Sequence, residues 1–278
     1  MSQLAHLSPG PTADYTDADL TFFMQVHRDV RQANWALSHL RTHFPGARLL
    51  LVSDNDNDPR WPGVANRFGG AYFAGEYLYG TESGGLIIQR MLDRYMLSPT
   101  PYLFKLDTDT KTNRRFQTLP TGRCVFGTLE YETFAKRIPL KGLPSVQGGF
   151  VGYTRQAAED IWRSGVLRSE ALVKDYAGTY ADTPEIAARA DEGMVSTDFL
   201  VRYACKKLAI ECRDYGEVRS LYRGWVATRT PDEFAFTHPH KEHAGWHPAL
   251  HWLRSALPLS WRKRGARYRA ALRKLGGS

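Results

Sequence analysis

The first part of the chain alternates unbroken apolar runs with stretches of helical spacing. Leu20-Thr-Phe-Phe-Met-Gln-Val26 is a run of the kind that forms a strand buried on both faces. Ala33, Leu37, Leu40 and Phe44 then recur at helical spacing, which predicts an amphipathic helix over about residues 30–44, closed by Pro45-Gly46. Ala47-Arg-Leu-Leu-Leu-Val-Ser53 reads as a second strand. Strand, helix and strand in this order make a βαβ unit, with parallel strands and a right-handed crossover. Ligands of such sheets bind beyond the carboxyl ends of the strands. His27, Arg28 and the run Asp54-Asn-Asp-Asn-Asp58 therefore stand on the ligand side. Asp54 is placed either to hydrogen-bond a base or ribose or to belong to a solvated turn.

Further along, residues 60–84 are rich in glycine and aromatics and read as an irregular loop that packs its own rings. Residues 85–97 carry a helical pattern, ended by Ser98-Pro-Thr-Pro101. Tyr102-Leu-Phe-Lys-Leu-Asp-Thr-Asp-Thr110 is an apolar strand running into two carboxylates. Residues 124–130 form a strand, residues 146–153 a strand interrupted by glycines, and residues 155–163 a helix. After a polar stretch, a helix is predicted over residues 199–210, with Ser196 or Thr197 as its cap and Asp198 in its first turn. A short strand over residues 233–237 ends at His238-Pro-His240. The pattern predicts one α/β domain over residues 19–245, preceded by a loose lead-in.

Candidate chemistry gathers on that ligand side. An extended Asp-x-Asp presents Asp107 and Asp109 to one face. Two hard oxygen ligands at a strand end suit Mg²⁺ or Mn²⁺, which takes further ligands from substrate phosphates. The same pair also fits a simple acidic turn. Neither Gly-x-Gly-x-x-Gly after the first strand nor a Walker-type glycine loop is present, so no glycine loop cradles phosphates. Gly148 and Gly149, inside an apolar run, mark a close approach of backbone or ligand. Five of the nine histidines lie between 238 and 251. One of them completing the Asp-x-Asp pair is more economical than a separate zinc site.

Composition narrows the classes. There is no apolar window long enough to span a bilayer, and residues 1–19 lack a basic start followed by an apolar stretch. Cys124, Cys205 and Cys212 make neither a disulfide framework nor a paired zinc motif, so a cytoplasmic setting is expected. The net charge of +8 comes entirely from residues 251–278, where eight Lys and Arg stand with no Asp or Glu. Trp252, Trp261 and Tyr268 are interleaved with those cations. Such a tail (residues 246–278) suits an anionic membrane surface at the inner face, or, as an alternative without enzymatic activity, a membrane- or nucleic-acid-binding module.

Several of these segments taken in order resemble a known family. Lys105-Leu-Asp-Thr-Asp-Thr110 resembles the Lys-x-Asp-Asp-Asp-Thr stretch of the fringe and β-1,3-galactosyltransferase family of GT-A glycosyltransferases. Gly148-Gly-Phe-Val-Gly-Tyr-Thr-Arg155 is similar to that family's Gly-Gly-Gly-Tyr-Val-Leu-Ser-Arg segment, and Thr197-Asp-Phe to its Glu-Asp-Val. Thr108 and Thr197 are departures, and the looser bacterial polysaccharide transferases are an equally good home. The resemblance implies a GT-A (Rossmann-like) fold with a mixed central sheet, and transfer of a sugar from a nucleotide-diphosphate donor, a UDP-sugar, to a hydroxyl of a glycan or lipid-linked acceptor. It implies Mn²⁺ or Mg²⁺ held by Asp109 and His238, with Asp107 as a further ligand or nucleotide contact. It makes Asp198 the base of an inverting reaction and expects no nucleic acid. His27, Arg28, Asp54, Gly148 and Gly149 are then donor-site residues. A rival class with Asp-x-Asp after a strand, the haloacid-dehalogenase-type phosphatases, wants Thr or Val where this chain has Lys111.

Overall fold

A computed structural model of the chain describes residues 10–27, 29–53, 58–75, 84–131, 140, 142–168, 172–179, 197–220 and 233–240, with the backbone alone at residues 84, 173, 174, 177 and 198. The chain divides into two compact units, Met1–His240 and Lys241–Ser278, and the second lies outside the described residues. In chain order the elements are β1 (Thr12–Ala13), β2 (Leu20–Val26), α1 (Val30–His43), β3 (Arg48–Ser53), α2 (Arg60–Arg67), β4 (Ala71–Ala74) and α3 (Gly84–Met96). Then come β5 (Tyr102–Leu106), β6 (Lys111–Thr112), β7 (Leu119–Pro120), β8 (Cys124–Gly127), β9 (Leu129–Glu130), β10 (Ser145–Val146) and β11 (Phe150–Thr154). The last are α4 (Arg155–Ser164), α5 (Leu172–Thr179), α6 (Thr197–Leu208), β12 (Glu211–Asp214), β13 (Val218–Ser220) and β14 (Phe236–His238).

The central sheet has seven strands in the order β12-β8-β11-β5-β2-β3-β4. Strands β2, β3, β4 and β5 run parallel, as the βαβ reading requires. Strand β11 alone is reversed, antiparallel to both β5 and β8. The inner strands β2, β3, β5, β8 and β11 are largely apolar because both of their faces are covered. Phe23, Leu50, Val52 and Leu103 belong to one core cluster with α3, α4 and α6 residues, whereas Phe22, Met24, Leu49, Leu51 and Phe104 belong to the other with α1 residues. This is the period-two alternation of the pleat. Helix α1 starts where Asp29 accepts a hydrogen bond from the Gln32 amide at 3.0 Å, a cap worth about 1 kcal/mol.

Two registers decide where the chemistry goes. Phe150 of β11 stands opposite Leu106 of β5, so the residues before the reversed strand, Gly148-Gly149, arrive at the carboxyl end of β5. A small second sheet, in the order β13-β14-β6, pairs Thr237 with Lys111 and so leads His238 back to the residues that follow Asp109. Phe236 anchors that strand. Its ring lies 5.0 Å from Phe116 and 4.9 Å from Phe150, fully buried.

Several boundaries differ from the sequence pattern. Residues 60–84 are not simply a loop, because α2 and β4 fall inside them. The helix tolerates Pro62 because the proline sits in its first turn, where backbone N–H groups have no intrahelical acceptor. The strand expected over 124–130 is two, β8 and β9, parted at Thr128. Helix α6 begins at Thr197 and ends at Leu208, with Ala209 in the left-handed region at φ 51°. Strands β12 and β13 carry too few residues for the pattern to show. Among the described residues no helix is long and apolar enough to cross a membrane.

Candidate metal centre

Strand β5 ends at Leu106, and Asp107 to Thr110 form a turn in which the Thr110 amide donates to the Asp107 carbonyl at 3.1 Å. The extended Asp-x-Asp expected from the sequence is thus a turn, and both carboxylates still reach one point. The Nε2 atom of His238 lies 3.2 Å from Asp109 Oδ1 and 3.6 Å from Asp107 Oδ2. One ligand atom from each of the three side chains falls within 4.8 Å of the others. Two ligands at right angles on an octahedral ion, each about 2.1 Å from it, stand about 3 Å apart. The spacing and the donor set of two carboxylates with one imidazole fit a divalent cation.

The three groups are held unequally. Asp109 and His238 are buried, at 5% and 7% exposure, whereas the Asp107 side chain is 40% exposed. The ammonium of Lys105, which stands in β5 two residues before Asp107, donates to Asp107 Oδ1 and to the Gly148 carbonyl. It ties down one oxygen of Asp107 and leaves the other facing His238. His238 is set by its neighbours as well: the His240 amide donates to the Asp109 carbonyl at 2.7 Å, which pins the chain on either side of the imidazole.

Gly149 supplies the close approach that the glycine pair announced. A Cβ there would lie 2.0 Å from His238 Nδ1, so the imidazole packs directly on the Gly149 backbone. The Gly149 carbonyl accepts from the Asp107 amide at 3.2 Å and from the Thr110 hydroxyl at 2.7 Å. On the far side of the ring, His238 Nδ1 is 3.0 Å from Ser220 Oγ, which in turn contacts Gln147 Oε1. Gln147 and Ser220 are both buried.

His240, the alternative ligand, faces elsewhere. Its Nε2 lies 2.7 Å from Thr237 Oγ1, and its carbonyl accepts from Gln32 Nε2 of α1 at 2.9 Å. Burial, more than nearby Lys111 and His238, pushes its imidazole down to about 4.

Of the other sequence candidates, His27 follows β2, and its carbonyl accepts from the Trp61 indole at 3.2 Å. Its place is the carboxyl edge of the sheet. Asp198 sits in the first turn of α6 by its backbone, and its side chain is outside the described residues. Arg28, Asp54 and residues 241–278 are outside them too. Asp58, at the end of the acidic run, is held below the usual carboxylate range, at about 2, by Arg60, which binds it through Nε and Nη2 at 2.8 and 2.6 Å. Lys105, Thr110, Gln147 and Ser220 join the site without being singled out by the sequence pattern. The period-two spacing of Lys105 and Asp107 is a signal for the first. Ser220 has none, because long-range pairing alone brings it here.

No protein-family model matches the chain, and no curated protein is significantly similar to it. Among solved structures, the galactosyltransferase LgtC in complex with donor and acceptor sugar analogues is similar. The TM-score is 0.52 at 10% identity, over 87% of this chain and 99% of that one. At that identity the likeness speaks for architecture, and the mixed sheet with one reversed strand between β5 and β8 agrees with it: the chain has a GT-A fold.

Proposed function

We propose that the protein is a metal-dependent glycosyltransferase that moves a sugar from a UDP-sugar to a hydroxyl of a glycan or lipid-linked acceptor, with inversion at the anomeric carbon. The observation that carries this is the Asp107–Asp109–His238 cluster at the carboxyl end of β5 in a GT-A fold. The fringe-like order of motifs supports the donor and the stereochemistry. The fold leaves the dehalogenase-type alternative without support.

Asp109 and His238, the buried pair, would hold the cation directly. Asp107, exposed and shared with Lys105, would contribute its free oxygen to the ion or contact the ribose. A cation bound there supplies Lewis-acid neutralisation of the charge that grows on the departing diphosphate. Lys105 brings a second positive charge to the same edge, suited to an anionic diphosphate. His27 stands at the carboxyl edge of the sheet, where a nucleotide would lie, and the order of the sequence assigns Arg28 and Asp54 to the donor as well. Asp198 accepts the proton of the attacking hydroxyl, as the carboxylate base of a direct displacement. Gly149 serves the site by giving the His238 ring its place, not by leaving room for the sugar, and the Gly148 carbonyl helps to hold Lys105.

The test is a thermal-shift screen of UDP, GDP, CDP and their sugars, each with and without Mn²⁺. A rise in melting temperature for UDP and UDP-sugars that requires Mn²⁺ is expected. A chain indifferent to every nucleotide with the ion present would sink the reading.

A further inference from the structure

We propose that Gln147 and Ser220 are positioning residues that fix the tautomer of His238 and aim its Nε2 lone pair at the two aspartates. The inference rests on the metal reading for its purpose, but the proton placement stands on hydrogen-bond geometry alone. The Gly149 amide donates to Gln147 Oε1 at 2.7 Å, which establishes that atom as the carbonyl oxygen of the amide and as an acceptor. Ser220 Oγ also contacts Gln147 Oε1. A carbonyl oxygen only accepts, so the single hydroxyl proton of Ser220 points to Gln147. With that proton committed, Ser220 Oγ meets His238 Nδ1, at 3.0 Å, as an acceptor. His238 therefore carries its proton on Nδ1, and in the neutral ring Nε2 is bare. Nε2 is the atom 3.2 Å from Asp109 Oδ1. A lone pair set against a carboxylate is useful only when a cation lies between them.

The relay is itself anchored. The Thr128 hydroxyl donates to the Val218 carbonyl at 3.0 Å and accepts from the Ser220 amide at 2.8 Å, and the Thr128 carbonyl accepts from the Gln147 amide at 3.0 Å. One threonine in the break between β8 and β9 thus ties the loop before β11 to β13. Gly149, Gln147, Ser220 and His238 form a single line of donors and acceptors drawn from three parts of the chain. Metal-binding histidines commonly have their second nitrogen oriented in this way, and loss of such a partner weakens metal binding about 10- to 100-fold.

Two measurements on the full chain test it. Long-range ¹H–¹⁵N spectra of the metal-free protein at pH 8 should show a proton on His238 Nδ1. A ring protonated on Nε2 with Nδ1 bare overturns the proposal. Mn²⁺ titration followed by electron paramagnetic resonance should then show Ser220→Ala and Gln147→Leu binding about 10- to 100-fold more weakly than wild type, with unchanged circular dichroism. Gln147→Glu, which keeps an acceptor for both donors, should hold the ion at least as well as wild type. Ser220→Ala or Gln147→Leu with affinity within twofold of wild type also overturns it. If wild type itself binds no ion, the metal reading fails, and the tautomer still decides the relay separately. Should the variants not fold, the wild-type spectrum alone decides it.

Discussion

His238 Nε2 lies 3.2 Å from Asp109 Oδ1 because the strand that carries His238 pairs with the strand that follows Asp109. The contact is a consequence of backbone register, reinforced by the His240 amide on the Asp109 carbonyl. It ties the late part of the chain to the central sheet at the point where the chemistry is expected. Asp109→Asn removes a charged ligand from the buried side of the pair. Mn²⁺ affinity should fall at least tenfold and transfer to near background. Asp107→Asn should cost less in ion binding, since Lys105 already holds one of its oxygens. Equal losses from the two changes in a Mn²⁺ titration would show that the two carboxylates are equivalent ligands.

Much of this arrangement was legible in the sequence, and what was not has physical causes. The β2-α1-β3 unit stood out because parallel strands buried on both faces are unbroken apolar runs, and the observed β2 matches residue for residue. Spacing and resemblance point to Asp107, Asp109 and His238, and the structure brings them together. The shape of the Asp-x-Asp was not legible. A strand end and a turn differ by a few dihedrals, and the Thr110 amide that closes the turn leaves no mark on residue type. Helix α2 was hidden by Pro62 and Gly63, and β4 by its four residues at a sheet edge. Ser220 was invisible because a three-residue strand acquires meaning only from its partners.

Gly149→Ala places a methyl group 2.0 Å from the His238 ring, which must swing away. The expected cost is about 1–3 kcal/mol in urea denaturation, together with loss of Mn²⁺ binding. Gly63→Ala is the control, since a Cβ there meets nothing within 4 Å and the position is interior to α2. It should stabilise by roughly 0.5–1 kcal/mol and leave the ion untouched. A Gly149→Ala protein that binds Mn²⁺ normally would mean that His238 is not a ligand.

Asp198→Asn keeps the shape of the side chain and removes its basicity. Turnover should drop about a hundredfold to ten-thousandfold, while Mn²⁺-dependent UDP binding is retained. Near-normal turnover would remove Asp198 as the base and make a retaining mechanism the better account.

Deletion of residues 251–278 removes eight cations and no acids. Near an anionic surface each cation contributes on the order of 1 kcal/mol. The full chain should sediment with phosphatidylglycerol vesicles and not with phosphatidylcholine ones, and the shortened chain with neither. Transfer to a water-soluble acceptor should be unaffected. Tight binding of the full chain to single-stranded nucleic acid, with no vesicle binding, would assign the tail to the other partner.

Acid should weaken the fold through His240. Burial holds its imidazole down at about 4, against an ordinary value of 6.5. Between those values the unfolded chain takes up a proton at this position and the folded chain does not. Stability from this residue is therefore complete above about pH 6.5 and is lost as pH falls towards 4. The urea midpoint should decline across that window in the wild type and decline less steeply in His240→Gln. The glutamine amide keeps a polar partner for Thr237 without a titrating ring. Parallel curves for the two proteins would place the acid-sensitive group elsewhere. A wild-type midpoint that rises as pH falls would mean that His240 is charged in the folded protein, contrary to its burial between Trp35, Gln32 and the Asp109 turn.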